Sequence, residues 1–440
     1  MGISQALYTG VTGLSVNADS MSVVANNIAN ANSRGFKYDR AEFDDLLSVD
    51  LSSGSGSAQL GRGCRLSDVK TIHTQGGLAV TDNLTDLAIQ GQGFFVVENP
   101  LSASQESGGL FYTRVGSFHF DKDGYLSDPT GGHIMGYLAD SDGDLSTRLQ
   151  NVRILTNSLP PNPTNKVDLN VNLDSRDKIL QKDFDLNSPE KSSNWNTTVQ
   201  IFDSNGRTHD MTVYFRRTDD GDEGLSWDWH AVVDRAELAS QPETKTGQIG
   251  QGVVRFDANG ALKTEETIDF AATFANGAKA NQVINIDFGQ NVSIEEGNGV
   301  GASSATGAKS ATNFHSQNGY SSGNLKSLKI EIDGKVNGFY TNGIQRTLGA
   351  ISLATFENTD GLQKAGRNQF FKTLDSGPPR IGLANSGTRG SIFSSSLEES
   401  NVDLAGQFVN MIQTQRGFQA NSRSVTTTDT MLEEVVNLKR

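Results

Sequence analysis

The sequence predicts a mainly β protein with terminal α-helices: nested β-domains of the hairpin-rich sandwich or barrel type, plus an N-/C-terminal helical coiled-coil domain formed on assembly. Three observations predict it. Apolar residues keep a helical period only at the two chain ends. The long middle carries short β-branched and aromatic runs bounded by Gly, Asn or Asp. An Asp-Gly or Asn-Gly turn signature recurs within that middle.

The N-terminal helix comes first. Leu7, Val11, Leu14, Ala18, Met21, Ala25 and Ile28 alternate steps of four and three, a heptad stripe. Residues 1–33 carry one charged side chain, Asp19, and hold Gly10 and Gly13 inside the helical pattern. Each Gly costs a helix about 1 kcal/mol relative to Ala. Such a helix is marginal alone and is expected to be buried by neighbours once assembled.

The middle reads as strands at 94–97, 199–202, 211–215, 283–286 and 328–332. Phe120-Asp121-Lys122-Asp123-Gly124, Phe202-Asp203-Ser204-Asn205-Gly206 and Phe256-Asp257-Ala258-Asn259-Gly260 read as hairpin turns. Leu159-Pro160-Pro161-Asn162-Pro163 reads as an extended link, and the Gly/Ser-rich residues 297–324 as a flexible return strap. The predicted domains are therefore nested. Residues 1–70 and 395–440 form the terminal helical assembly domain with a linker, 71–158 and 325–394 an inner β-domain, and 159–324 an inserted outer β-domain.

At the C-terminal end Leu404, Phe408, Met411, Phe418, Val425 and Leu432 continue the heptad register, its second row interrupted by Gln415, Ser422 and Asp429. Two ends that each carry one narrow apolar seam are expected to pair with each other and with copies of themselves.

A formal net charge of −14 disfavours a nucleic-acid coat or a basic membrane-surface protein. No run approaches the roughly 20 apolar residues of a membrane span, so no membrane insertion is expected. The first 30 residues lack a basic region followed by an apolar core, so no cleaved signal peptide is expected. Ala6 occupies the position where a myristoylation motif wants Ser or Thr. Cys64 is alone and forms no intrachain disulfide.

Candidate chemistry thins out quickly. The six histidines never fall at metal-ligand spacing. Asp140-Ser141-Asp142-Gly143-Asp144 begins like a calcium loop, but Gly sits at the fourth place and Asn151 where a bidentate Glu belongs. Gly91-Gln92-Gly93 precedes a strand instead of opening a helix. The reading is no enzyme, with no catalytic residue, cofactor or metal.

Val24-Ala25-Asn26-Asn27-Ile28-Ala29-Asn30-Ala31-Asn32-Ser33-Arg34-Gly35-Phe36-Lys37 resembles the N-terminal signature of bacterial flagellar rod and hook proteins. Its motif residues here are Asn26, Asn27, Ile28, Asn30, Gly35 and Phe36. The stretches 396–404 and 415–423 are similar to that family's C-terminal motif, and 110–118 with 123–126 to its inner β-domain. The inserted block, with 199–206 and 212–214, and the return strand at 349–356 resemble the hook type.

The resemblance implies a structural hook subunit, a flexible tubular polymer joining rod to filament and transmitting torque. It implies as partners the chain itself, the flagellar rod protein, the hook-cap protein, the hook-filament junction protein and the flagellar type III export apparatus. It implies an extracellular location in the hook of the flagellum, reached without signal cleavage. The alternatives are a distal rod subunit of the basal body and, from another class, a secreted β-rich hydrolase or carbohydrate-binding module.

Overall fold

The structure is a computed structural model. It describes residues 2–53, 56–99, 109–140, 143–154, 158–218, 224–240, 243–269, 271–289 and 301–437. The chain divides into two compact units. One comprises 1–156, 327–339 and 345–440; the other comprises 157–326 and 340–344.

In the first unit, helix α1 (Gly2–Ala29) opens the chain and helix α2 (Leu404–Asn437) closes it. Between α1 and the main sheet runs a β-arm. Asp39–Asp45 pairs antiparallel with Cys64–Thr71, and Val49–Ser53 with Gly56–Leu60. The arm replaces the linker expected before residue 70. Its alternation of charged and apolar residues is short and irregular, with a bulge between Glu42 and Phe43, so no period-2 signal stands out.

The main sheet sets Phe94–Glu98 beside Leu110–Thr113, His133–Ala139 and Gln345–Thr355, all antiparallel. Phe94, Val96, Tyr112, Met135, Ala354, Leu362 and Phe370 form a buried cluster against it. Two short ladders then lead toward α2: Ser391–Ser394 pairs with Leu87–Gln90, and Ser396–Glu398 with Leu78–Val80.

The second unit packs two sheets. Trp195–Phe202, Thr208–Arg217, Leu225–Asp234, Thr246–Phe256 and Leu262–Asp269 form a five-stranded antiparallel meander. Lys166–Asp174 centres the other sheet, parallel to Asn285–Asp287 and Ser304–Thr306 and antiparallel to Ala311–Gln317. Alternate residues of these strands, among them Val167, Leu169, Val171, Met211, Val213, Phe215, Trp227 and Trp229, meet in one core. The indole N–H groups of Trp227 and Trp229 are buried there without a hydrogen-bond acceptor.

The strap expected at 297–324 differs from what forms. Residues 304–306 and 311–317 are strands, and 297–300 lie outside the described residues. Small residues fit here because Ala302 and Ala305 fill the core. Ser304 and Thr306 donate their hydroxyls to the Asn172 side chain, so polar composition serves pairing rather than solvation. Leu159 and Asn162 bridge to Gly323 and Tyr320, which seats the proline-rich entry beside the exit of the same unit.

All three turn signatures adopt one geometry. Asp121, Asp203 and Asp257 each accept two backbone N–H groups on Oδ1, from Asp123 and Tyr125, Asn205 and Arg207, and Asn259 and Ala261. Gly124, Gly206 and Gly260 supply the positive φ of +83°, +78° and +81°. Asp128 builds the same turn with Thr130 and Gly132 but lacks the preceding Phe that marked the others.

Candidate assembly site

Helices α1 and α2 lie antiparallel within the chain, and the face they share is not the apolar seam. Gly10 faces Val425, Gly13 faces Asn421, and Gly417 faces Asn17. A Cβ on Gly10 would stand 2.8 Å from Val425 Cγ2. Ser20 and Thr414 share a hydrogen bond of 3.4 Å, and Asn27 Nδ2 donates to Gln407 Oε1 at 3.2 Å. The contact stripe is therefore Gly10, Gly13, Asn17, Ser20, Val24 and Asn27. Small residues let the backbones approach, and amides join them.

That stripe has the predicted period but sits one residue earlier, about 100° around the helix. The expected pairing of the ends through their apolar seams is corrected accordingly. On α1, Leu7, Leu14, Met21 and Ile28 flank the contact half-buried, while Val11, Ala18 and Ala25 face outward. On α2, Met411, Val425 and Leu432 are half-buried, whereas Leu404, Phe408 and Phe418 are 43%, 50% and 43% exposed. The physical reason is numerical. Two helices can bury only one stripe each, and the glycine stripe is the one that lets the two backbones approach closely.

The family-motif residues gather where α1 ends. Asn27 is buried and copies a strand partner, taking the Asp39 N–H on Oδ1 at 2.9 Å and donating Nδ2 to the Asp39 carbonyl at 2.7 Å. Asn30 Nδ2 donates to both oxygens of Asn26, and Ser33 donates to Asn30 Oδ1. Ile28 lies on the flank of α1, half-buried. Gly35 turns the chain at φ +65°, with its N–H on the Glu398 carbonyl at 2.8 Å. A Cβ there would lie 2.9 Å from the Arg114 carbonyl carbon. Phe36 is buried beneath the Lys364 ammonium, 5.4 Å from the ring centre.

Next to this turn sits a buried ionic node. Lys37 Nζ donates to Glu398 Oε1 at 2.6 Å and to the Thr74 carbonyl at 2.7 Å. Arg114 reaches Glu398 Oε2 at 3.3 Å and the Gly91 carbonyl at 2.7 Å, and the Gly76 N–H donates to Glu398 Oε1. The Lys37 and Glu398 side chains are fully buried. Burial pushes the Lys37 ammonium and the Arg114 guanidinium below their usual ranges, while Glu398 opposes that shift. Burial first, then the Lys37 and Arg114 charges, push the neighbouring His73 down to about 4. Asn401 completes the joint, accepting the Tyr38 N–H and donating to the Ile72 and Thr74 carbonyls.

Sequence reasoning missed Lys37, Arg114, Glu398 and Asn401 as a set. Each lies inside a stretch that carried the family resemblance, but pairing across hundreds of residues leaves no periodic trace. In the second unit, His209 is held between Asp203 and Glu237, 3.0 Å from each, with Phe274 stacked on its ring. His209 is 3% exposed and Asp203 fully buried, an arrangement suited to bracing a turn rather than meeting a substrate. Among the described residues no group of three His, Cys, Asp or Glu is placed to hold a metal ion. Among the described residues no helix is long and apolar enough to cross a membrane.

The stretches that carried the family resemblance thus meet at one joint, and the family models place the chain in the class of flagellar axial structural proteins. Family models agree along the chain. Residues 7–37 match the flagella basal body rod protein, 88–173 the flagellar hook protein FlgE/F/G D1 domain, 172–320 the flagellar basal body protein FlaE D2 domain, and 394–438 the flagellar basal body rod FlgEFG protein C-terminal. The flagellar hook protein FlgE of Treponema pallidum is 32% identical over 99% of this chain and 100% of its own length. Those of Salmonella typhimurium and Escherichia coli are 31% and 32% identical over the full length of both chains. The crystal structure of Helicobacter pylori flagellar hook protein FlgE2 shares the fold, with TM-score 0.53 at 17% identity over 73% of this chain and 100% of that one. The chain belongs to the flagellar hook protein FlgE family, whose members are structural subunits of the hook.

Proposed function

We propose that this chain polymerises into a flexible tube that joins rod to filament and transmits torque, with no catalytic step. The observation that carries the reading is the placement of the seam residues. The glycine stripe is spent inside the chain, so Val11, Ala18, Ala25, Leu404, Phe408 and Phe418 stay outward, free to meet other copies. Residues 1–33 hold one charge, which suits a closely packed tube wall where an unpaired charge would be costly.

In this reading the nested domains divide the labour. The terminal helical assembly domain (1–70 and 395–440) carries twist, and the inserted 159–324 domain slides against neighbours during bending. The partners are the rod, hook-cap and hook-filament junction proteins, and the chain leaves the cell through the flagellar type III export apparatus without signal cleavage. The test is electron microscopy of cells lacking this gene. Rods without hooks, restored to hooked by the gene in trans, are expected; normal hooks in its absence would end the proposal.

A further inference from the structure

The residues around the end of α1 include a feature that neither the helix pair nor the ionic node uses. Strands Gln363–Gly366 and Gln369–Phe371 are joined by Arg367 and Asn368, with φ of +55° and +58°. Two consecutive left-handed residues make a type I′ turn, a position that favours Asn, Asp or Gly. Asn368 obeys that preference and Arg367 breaks it. A solvated arginine has no need of a left-handed backbone, and residues kept against a local rule mark function.

The turn is fixed against the motif segment. Asn368 Nδ2 donates to the Arg34 carbonyl at 3.2 Å, and the Thr113 hydroxyl donates to the Asn368 carbonyl at 2.9 Å. A cavity of about 250 Å³ lies between them, lined in part by Asn26, Asn30, Phe36, Lys364 and Arg367. Its size suits a single side chain rather than a folded segment. Its one carboxylate, Asp39, is already taken by Lys364 at 2.6 and 2.7 Å and by the Thr71 hydroxyl at 2.8 Å. Arg34 and Arg367 are both exposed, and among the described residues neither forms an ion pair. Of these two only Arg367 lines the cavity, so one guanidinium group stands at its rim without an anion.

We propose that this cavity receives a carboxylate side chain from a second copy of the chain. The inference rests on the polymer reading above and names one contact within it. A chain of net charge −14 carries an excess of acidic groups, so a second copy can supply the carboxylate that the Arg367 guanidinium lacks. Because Asp39 is engaged internally, the socket cannot pair with its own symmetry image. The entering carboxylate comes from a different part of the neighbour's surface, an arrangement that a head-to-tail polymer can repeat along its length.

The experiment compares the full-length purified chain with Arg367→Asn and Arg367→Lys, following assembly by sedimentation and each monomer by thermal melting. Asn suits the turn better than Arg, so Arg367→Asn should keep or raise the monomer's melting temperature. Its critical concentration for assembly should nevertheless rise at least about fivefold, a change on the order of 1 kcal/mol per contact. Arg367→Lys should recover most of the loss, and added salt should narrow the gap between wild type and Arg367→Asn. Assembly of Arg367→Asn at the wild-type concentration overturns the socket while leaving the polymer reading intact. A wild-type chain that never assembles, even when seeded with isolated hooks, overturns both.

Discussion

Lys37 and Glu398 stand 361 residues apart in the chain and 2.6 Å apart in the fold, with both side chains sealed from solvent. Arg114 leans on the same carboxylate, so two cations share one anion. The imbalance makes the three residues unequal. Glu398→Gln strands two buried cations and should cost about 3–5 kcal/mol of unfolding free energy. Lys37→Met leaves Arg114 and Glu398 balanced and should cost clearly less. Urea denaturation followed by helical circular dichroism checks the order; equal losses for both variants would contradict it.

Gly35 should accept no side chain. At φ +65°, with the Arg114 backbone 2.9 Å from any Cβ, Gly35→Ala adds both strain and a backbone clash. The expected loss is about 2–4 kcal/mol, more than the roughly 1 kcal/mol of an ordinary positive-φ glycine. Thermal melting of the full chain measures it, and a loss below 1 kcal/mol would mean the segment relaxes freely.

Acid should loosen both units through histidines kept neutral. His73 and His230 are each pushed down to about 4, chiefly by burial, from an ordinary value of 6.5. Below about pH 6.5 the unfolded chain takes up protons that the folded chain refuses, so stability falls as pH drops toward 4. Above pH 6.5 these two groups contribute no slope. Each is worth at most about 3 kcal/mol over that window. His73→Gln should flatten the acid slope of the helix-bearing unit, and His230→Gln that of the tryptophan-bearing unit. An unchanged slope in both variants would place acid sensitivity elsewhere.

The exposed seam separates assembly from folding. Phe418 is 43% exposed in the single chain, so Phe418→Asp should shift the monomer's melting temperature by little. In a polymer the same change removes about 1.5–3 kcal/mol of burial per copy and adds an unpaired charge, so sedimentable polymer should disappear. Gly13→Leu should do the reverse. It collides with Asn421, weakening the intrachain helix pair and lowering helicity in the monomer itself.

The sequence made some parts of this fold legible because they are local. Periodicity identified both helices, and the Asp-Gly and Asn-Gly signatures identified three turns, since one Asp carboxylate and one positive-φ glycine suffice for each. Legibility failed where partners are distant or where composition misleads. Hydrophobicity singled out Leu7, Leu14 and Met21, while the contact with α2 is made by Gly10, Gly13 and Asn17, whose advantage is closeness rather than apolarity. Residues 304–306 and 311–317 look like a solvated strap, yet both pair as strands: Ala305 is small enough for a crowded core position, while 311–317 stay largely exposed along one sheet edge. Glu398 gave no signal alone, because its meaning lies in Lys37 and Arg114.

The burial of Trp227 and Trp229 has a spectroscopic consequence. The chain has three tryptophans, Trp195, Trp227 and Trp229, and all fall in the unit spanning 157–326. Two of the indoles are fully buried with N–H groups that reach no acceptor, an environment that holds their emission toward the blue. Intrinsic fluorescence therefore sees the inserted unit and is blind to the helices, while helical dichroism sees α1 and α2. The molecule carries two separate optical channels, and any uncoupling of its halves can be read without a label.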